Sequence, residues 1–313
     1  MVSRDGRLGI LIGAAVGTLF LVPADGLAQS DVLRLDPCDS AIIYMSRLGG
    51  LISCAETGHA PDQYTLGLMY DNGNGVPEDD AEAVRWYRLA AEQGHASAQN
   101  NLGVMYAEGN GVPEDYGEAV RWYRLSVEQG YAAAQYNLGM MYEYGDGVRE
   151  DDGEAVRWYR LSAEQGFAAA QYNLGVVYAH GYGVPEDDGE AVRWYRLAAD
   201  QEYAIAQFNL GVMYSRGEGV PEDDAEAVRW YRLAAEQGDA LAQTNLGFMY
   251  GNGDGVPRDL VFAYMWYNLA AAQGNETAQR NNEMIAQVMT REQIAEAQRL
   301  STEWIEAHPP AGN

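Results

Sequence analysis

Between residues 59 and 274, apolar positions fall into two alternating helical patterns, separated by short runs of glycine, proline and acid. In the second copy, the stretch from Ala96 to Ala107 places Ala98, Leu102 and Met105 on one stripe and Gln99, Gly103 and Tyr106 on the adjoining one. That spacing follows a 3.6-residue period and predicts a helix covered on two sides. Gly109-Asn110-Gly111-Val112-Pro113 then stops it and turns the chain. A second amphipathic stretch carries Ala119, Val120, Trp122, Tyr123 and Ser126 inward, with Glu118 spaced to pair with Arg121 and Arg124 with Glu128, and it ends at Gly130. Asp115 and Glu118 have the spacing of a capping box at its start, which puts acid at the positive end of the helix dipole. Gly103 inside the first helix costs roughly 1 kcal/mol against alanine, which predicts the close approach of a second helix.

This pair of helices repeats every 36 residues, with Leu-Gly at Leu66, Leu102, Leu138, Leu174, Leu210 and Leu246 and Trp-Tyr at Trp86, Trp122, Trp158, Trp194, Trp230 and Trp266. A fixed period of this length marks a solenoid or array. The prediction is an all-α chain of six helix pairs, residues 59–94, 95–130, 131–166, 167–202, 203–238 and 239–274, running without a linker as one array in which each unit contacts mainly its neighbours. Local departures are Arg149 for the turn proline, Glu202 for the closing glycine, and Phe262 after Val261 in place of the second acid of the capping pair, which predicts contact with whatever follows.

The runs A-x-A-Q-x-x-L-G-x-M-Y, G-x-G-V-P and E-A-V-R-W-Y-R-L-A-A-E-Q-G resemble the Sel1-like repeat, a relative of the tetratricopeptide repeat. The resemblance implies a right-handed superhelix of antiparallel helix pairs that serves as a scaffold or adaptor for other proteins. Some bacterial members hold a membrane sensor inactive from the periplasmic side, which adds regulation of envelope signalling to the implied roles. A cysteine-rich branch is linked to β-lactam binding and hydrolysis, but this chain lacks the repeat-by-repeat cysteine pairs of that branch. A factor secreted towards a host cell is a third role.

Arg4 and Arg7 precede an apolar run from Leu8 to Val22, and Gly26-Leu27-Ala28 supplies small residues before Gln29. This reads as a cleavable signal peptide over residues 1–28, because spanning a bilayer takes roughly 20 apolar residues. The expected product is periplasmic or secreted, with no stable membrane insertion after cleavage. In an oxidising compartment Cys38 and Cys54 are candidates for a disulfide. One unbroken helix between them would hold them more than about 20 Å apart, so pairing needs Gly49-Gly50 to break it. Residues 29–58 then form an N-terminal helical cap. Residues 275–313 begin like a seventh first helix, Asn275 to Gln287, and Thr290 with Gln293 offers a capping box for a closing helix to about Ala307. Ile294, Ala297, Leu300 and Trp304 share its sealing face.

The formal charge of −26 makes the chain a polyanion, which argues against nucleic acid and anionic lipid as partners. Most of the acid lies in turns and on outer helix faces, where it favours solubility or a partner with a basic patch. No lysine occurs anywhere, which removes a Walker lysine, the S-x-x-K serine site and a Schiff base. The histidines His59, His95, His180 and His308 lack metal-ligand spacing. The glycine-rich turns follow helices rather than strands, and Asp71 to Gly75 has glycines where a calcium loop needs oxygen ligands. Repeated pairs such as Asp79-Asp80 read as helix caps. No catalytic residue, cofactor or metal is therefore expected.

The units align with one another, so columns that vary mark surface. In the first helix of the second unit these are positions 97, 100, 104 and 108, one face opposite the packed stripes. The resemblance makes this face the lining of a concave groove. Across the third to fifth units it carries Tyr136, Tyr172 and Phe208, then Met140, Val176 and Val212, then Tyr144, His180 and Arg216. Aromatics beside one arginine suit a protein contact.

Overall fold

The computed structural model describes residues 48–308. The chain divides into two compact units at the border between the third and fourth repeats, after Gln165. Every regular element among the described residues is an α-helix. In the first unit, α1 (Leu48–Glu56) precedes the pairs α2 (Ala60–Asn72) and α3 (Asp80–Glu92), α4 (Ala96–Glu108) and α5 (Tyr116–Val127), and α6 (Ala132–Tyr144) and α7 (Asp152–Glu164). The second unit holds α8 (Ala168–His180) and α9 (Asp188–Ala199), α10 (Ala204–Arg216) and α11 (Asp224–Glu236), and α12 (Ala240–Asn252) and α13 (Leu260–Ala272). Two single helices, α14 (Glu276–Ala286) and α15 (Arg291–Ala307), follow.

The turn chemistry sets each pair. Gly109 ends α4 at φ +73, a left-handed conformation open to glycine, and its amide closes on the Met105 carbonyl. Asp115 then caps α5 by accepting from the Glu118 amide at 3.0 Å. The reciprocal half of the capping box does not form here. The Asp115 amide instead donates to the Tyr106 carbonyl of the preceding helix at 2.8 Å, and Glu118 binds Arg121 at 2.8 Å. The same crossed bond, from Asp79 to Tyr70 and from Asp223 to Tyr214, ties the second helix of a unit to its first. A full capping box occurs at Thr290 and Gln293, opening α15 as the sequence leads one to expect.

Packing explains the invariant spacing. A Cβ on Gly103 would lie 2.6 Å from the Tyr123 ring, so the glycine lets α5 lay that ring flat against α4. Gly111 has φ +67, and a Cβ there would lie 2.3 Å from the Asp80 carbonyl of the preceding repeat. Four of the cores join the second helix of one repeat to the first helix of the next and to the following tryptophan. Trp122 thus packs with Ala83, Tyr87 and Leu102, and Trp230 with Val192, Tyr195 and Leu210. Arg85, Arg121, Arg157, Arg193 and Arg229 each lie 4.5–4.8 Å over the adjacent indole.

A glutamine clamp, unread in the sequence, also ties repeats together. Gln99 donates to the Ala91 carbonyl at the end of α3 at 3.1 Å and accepts from Gln129 of its own unit at 2.8 Å. Gln207 and Gln243 repeat both bonds. Arg124 does not turn to Glu128 but to the Tyr142 hydroxyl of the next repeat, at 3.3 Å.

Both ends differ from the repeats. α1 runs through Gly49-Gly50 and packs Leu48, Leu51 and Ile52 around Leu66 and Trp86. It carries Cys54, while Cys38 lies outside the described residues, as do the leader to Ala28 and the proposed cut before Gln29. At the other end α15 buries Ala297 and Ser301 and rests Leu300 and Trp304 on the core around Met265 and Trp266. Ile294 is half-buried. Phe262 does not reach forward to these helices. It stacks on Tyr250 of its own unit at 5.4 Å, because its column lies beside the first-helix tyrosine.

Candidate functional site

The variable face of the first helices is built differently in the two units. In the first, Tyr136 and Met140 of α6 are buried, the Tyr136 ring lying 5.7 Å from Tyr159, and Tyr144 is exposed at the end of the helix. On α4 the same columns hold Asn100 and Val104, both buried. Asn100 accepts from Asn137 at 3.0 Å and donates to Asn101 at 3.2 Å.

In the second unit the face is more open. Tyr172 of α8 is half-buried between Tyr195, 5.9 Å away, and Tyr203, 5.6 Å away. Phe208 of α10 lies 6.0 Å from Tyr231. Each ring leans on the second-helix tyrosine of its own repeat, so part of it serves packing and part faces out. Val176 and Val212 are half-buried, His180 is exposed 5.4 Å from Tyr182, and Arg216 is exposed with Glu218 at 3.7 Å. The structure thus brings together the six candidates on α8 and α10, and it places Tyr136, Met140 and Tyr144 on α6.

Four apolar residues on this face escaped the sequence reading. Ile205, Leu241, Phe248 and Met284 are exposed, the last three by 54%, 51% and 60%. Phe248 and Met284 continue the column of Val176 and Val212, and Ile205 and Leu241 that of position 97. Carrying the internal alignment into the sixth unit and α14 would have found them. They extend the apolar face of the second unit from α10 to α14.

Titratable groups near the first helices respond to burial. Burial lifts the Asp71 carboxyl above its usual range while the Tyr87 hydroxyl, donating at 2.7 Å, pulls it the other way. Burial also raises Glu108, with Asp71 adding repulsion, and lowers His95, whose ring stacks on Tyr64 at 4.7 Å. Asp71 is half-buried with its carboxylate taken up by the Tyr87 hydroxyl, which suits packing and not proton transfer. Among the described residues no group of three or more His, Cys, Asp or Glu side chains is placed to hold a metal ion. No described helix is long and apolar enough to cross a membrane.

The Sel1 repeat model matches six consecutive times, at residues 60–95, 96–131, 132–167, 168–203, 204–239 and 240–275. One similar solved structure is a protective antigen of uropathogenic Escherichia coli strains displaying an SLR fold, 40% identical, with a TM-score of 0.74 over 83% of this chain. This chain spans 55% of that protein's length. A Sel1 repeat protein from Oxalobacter formigenes is 34% identical with a TM-score of 0.69, and the match covers 80% of this chain and 70% of that one. No curated protein matches the chain. Six contiguous repeat matches, laid over helix pairs that share one set of clamps and caps, make this chain a member of the Sel1 repeat family.

Proposed function

We propose that the protein is an exported, non-enzymatic adaptor that binds a protein partner on the open first-helix face of residues 166–308. Sel1 repeats generally mediate contacts between proteins, which supports the class of function. The observation that carries the location is the apolar face itself: Tyr172, Phe208 and Val212 expose part of their surface beside the exposed Ile205, Leu241 and Phe248. Large flat side chains bury much area at small entropic cost, so such a face supplies binding energy that a solvated carboxylate rim does not. The acidic turns would steer a partner bearing a basic patch. A periplasmic regulatory role fits this reading. The likeness to a protective antigen favours a second, a role facing the host, because an antigen of that kind is met from outside the cell.

In-cell crosslinking followed by identification of the captured protein tests the proposal. Replacing Tyr172 and Phe208 with alanine should speed dissociation of that partner by roughly tenfold or more while leaving helicity unchanged. Neutralising Glu186 and Asp187 in a turn should instead lower the association rate and its salt dependence. Wild-type capture by the aromatic double variant would overturn the assignment.

A further inference from the structure

At the last junction the repeat changes five columns together. Asn282 stands 36 residues after Leu246, Glu283 after Gly247, Ala286 after Tyr250, Asn268 after Arg232 and Tyr264 after Val228. At the preceding junction the Arg232 guanidinium donates to the Tyr250 hydroxyl at 2.9 Å. Here both partners of that bond are gone, and a cavity of about 460 Å³ opens between α13 and α14, lined by Tyr264, Asn268, Gln279, Asn282 and Glu283. Gln279 occupies the clamp column, but position 309 is proline where the clamp needs its glutamine partner, and Gln279 makes neither clamp bond. Asn282 is 9% exposed, and its Oδ1 is a buried acceptor without a donor. No basic side chain lines the cavity. Arg280, on the same helix, donates to Thr277.

We propose that this cavity is a binding site for a guanidinium group, supplied either by an arginine side chain of a partner or by a free arginine-like cation. A buried amide oxygen left without a donor costs free energy that an incoming N–H recovers. A guanidinium carries five N–H donors in one plane, which matches the spread of acceptors on Asn268, Gln279, Asn282 and Glu283, and its flat face suits the Tyr264 ring. The carboxylate of Glu283 favours the cation over a neutral donor. The site restores from outside the arginine that the earlier junctions supply from within. It is independent of the open-face assignment, whose variants lie on α8 and α10.

The test titrates the ¹⁵N-labelled exported protein with N-acetylarginine amide, with its neutral isostere N-acetylcitrulline amide, and with a tripeptide bearing a central arginine. The side-chain amide resonance of Asn282, identified by its loss in N282L, should shift saturably with arginine amide, and about tenfold more citrulline amide should be needed. E283Q should weaken the arginine amide by a similar factor without changing the melting temperature. N282L, which returns the residue of the repeat, should abolish binding and raise the melting temperature. Tighter binding of the tripeptide than of arginine amide identifies a protein side chain as the ligand, and equal binding identifies a small cation. The proposal is overturned if arginine amide fails to saturate by about 50 mM, if citrulline amide competes equally, or if E283Q binds as wild type does.

Discussion

Glu202 occupies the place that glycine takes at the end of the second helix in the other five repeats, and it is held at φ +63. An L-residue in that region carries roughly 1–2 kcal/mol of steric cost, whereas glycine adopts it freely but loses more chain entropy on folding. Glu202→Gly should therefore raise stability by about 1 kcal/mol, read as a higher urea midpoint with an unchanged slope. A lower midpoint would show that the side chain makes a compensating contact. Asp71 offers a second test at this scale. Its folded pKa is raised above the usual 3.8 by burial, so the folded chain holds the proton more tightly than the unfolded one. Stability thus falls as pH rises through the window between the two values, and the loss persists at neutral pH. Asp71→Asn, which can still accept from Tyr87, should raise the melting temperature at pH 7 and cease to do so below about pH 4. A gain of equal size at both pH values would place the cause outside titration.

The helix pair is the element in which the sequence was most legible. A 3.6-residue period and a glycine stop gave the start and end of α4 within a residue, and an Asp cap marked the start of α5, because these signals are local. Gly103 was readable for the same reason: a helix-breaking residue at a fixed place implies a ring or backbone pressed against it. What escaped was the choice among local partners. Glu118 could reach back to Asp115 or forward to Arg121, and only the fold shows that Tyr106 already takes the Asp115 amide. Gln99 likewise reads as one more polar residue on a stripe until Ala91 of the preceding helix comes within 3.1 Å. The tryptophan was legible as core, and Trp158 accordingly packs on Val120 and Tyr123 of the preceding repeat and on Leu138 of its own. Trp158→Ala should cost roughly 3 kcal/mol, measured by chemical denaturation, and Trp304→Ala less, because α15 packs chiefly on α13 and has a neighbour on one side only. An unchanged midpoint for Trp158→Ala would contradict the shared-core packing.

Across the whole molecule, the shared face of the six candidates on α8 and α10 was legible from internal repetition, whereas the burial of Tyr136 and Met140 in the same columns was not, because variation between repeats does not fix how closely neighbouring helices cover a column. The cavity beside Asn282 was not, since it arises from five simultaneous departures at an end where the alignment stops. The tryptophans draw out a further consequence. Five indoles share one setting, with an arginine over the face and a buried N–H that meets no acceptor. Trp266 has Met265 where those have arginine, and it meets Trp304 edge-on at 6.2 Å, while Trp304 in turn stacks on His308 at 4.5 Å. The chain therefore carries two optical populations, a uniform one along the repeats and an excitonically coupled pair at the carboxyl end. Near-ultraviolet dichroism from that pair would report fraying of α15 alone, apart from the emission of the array.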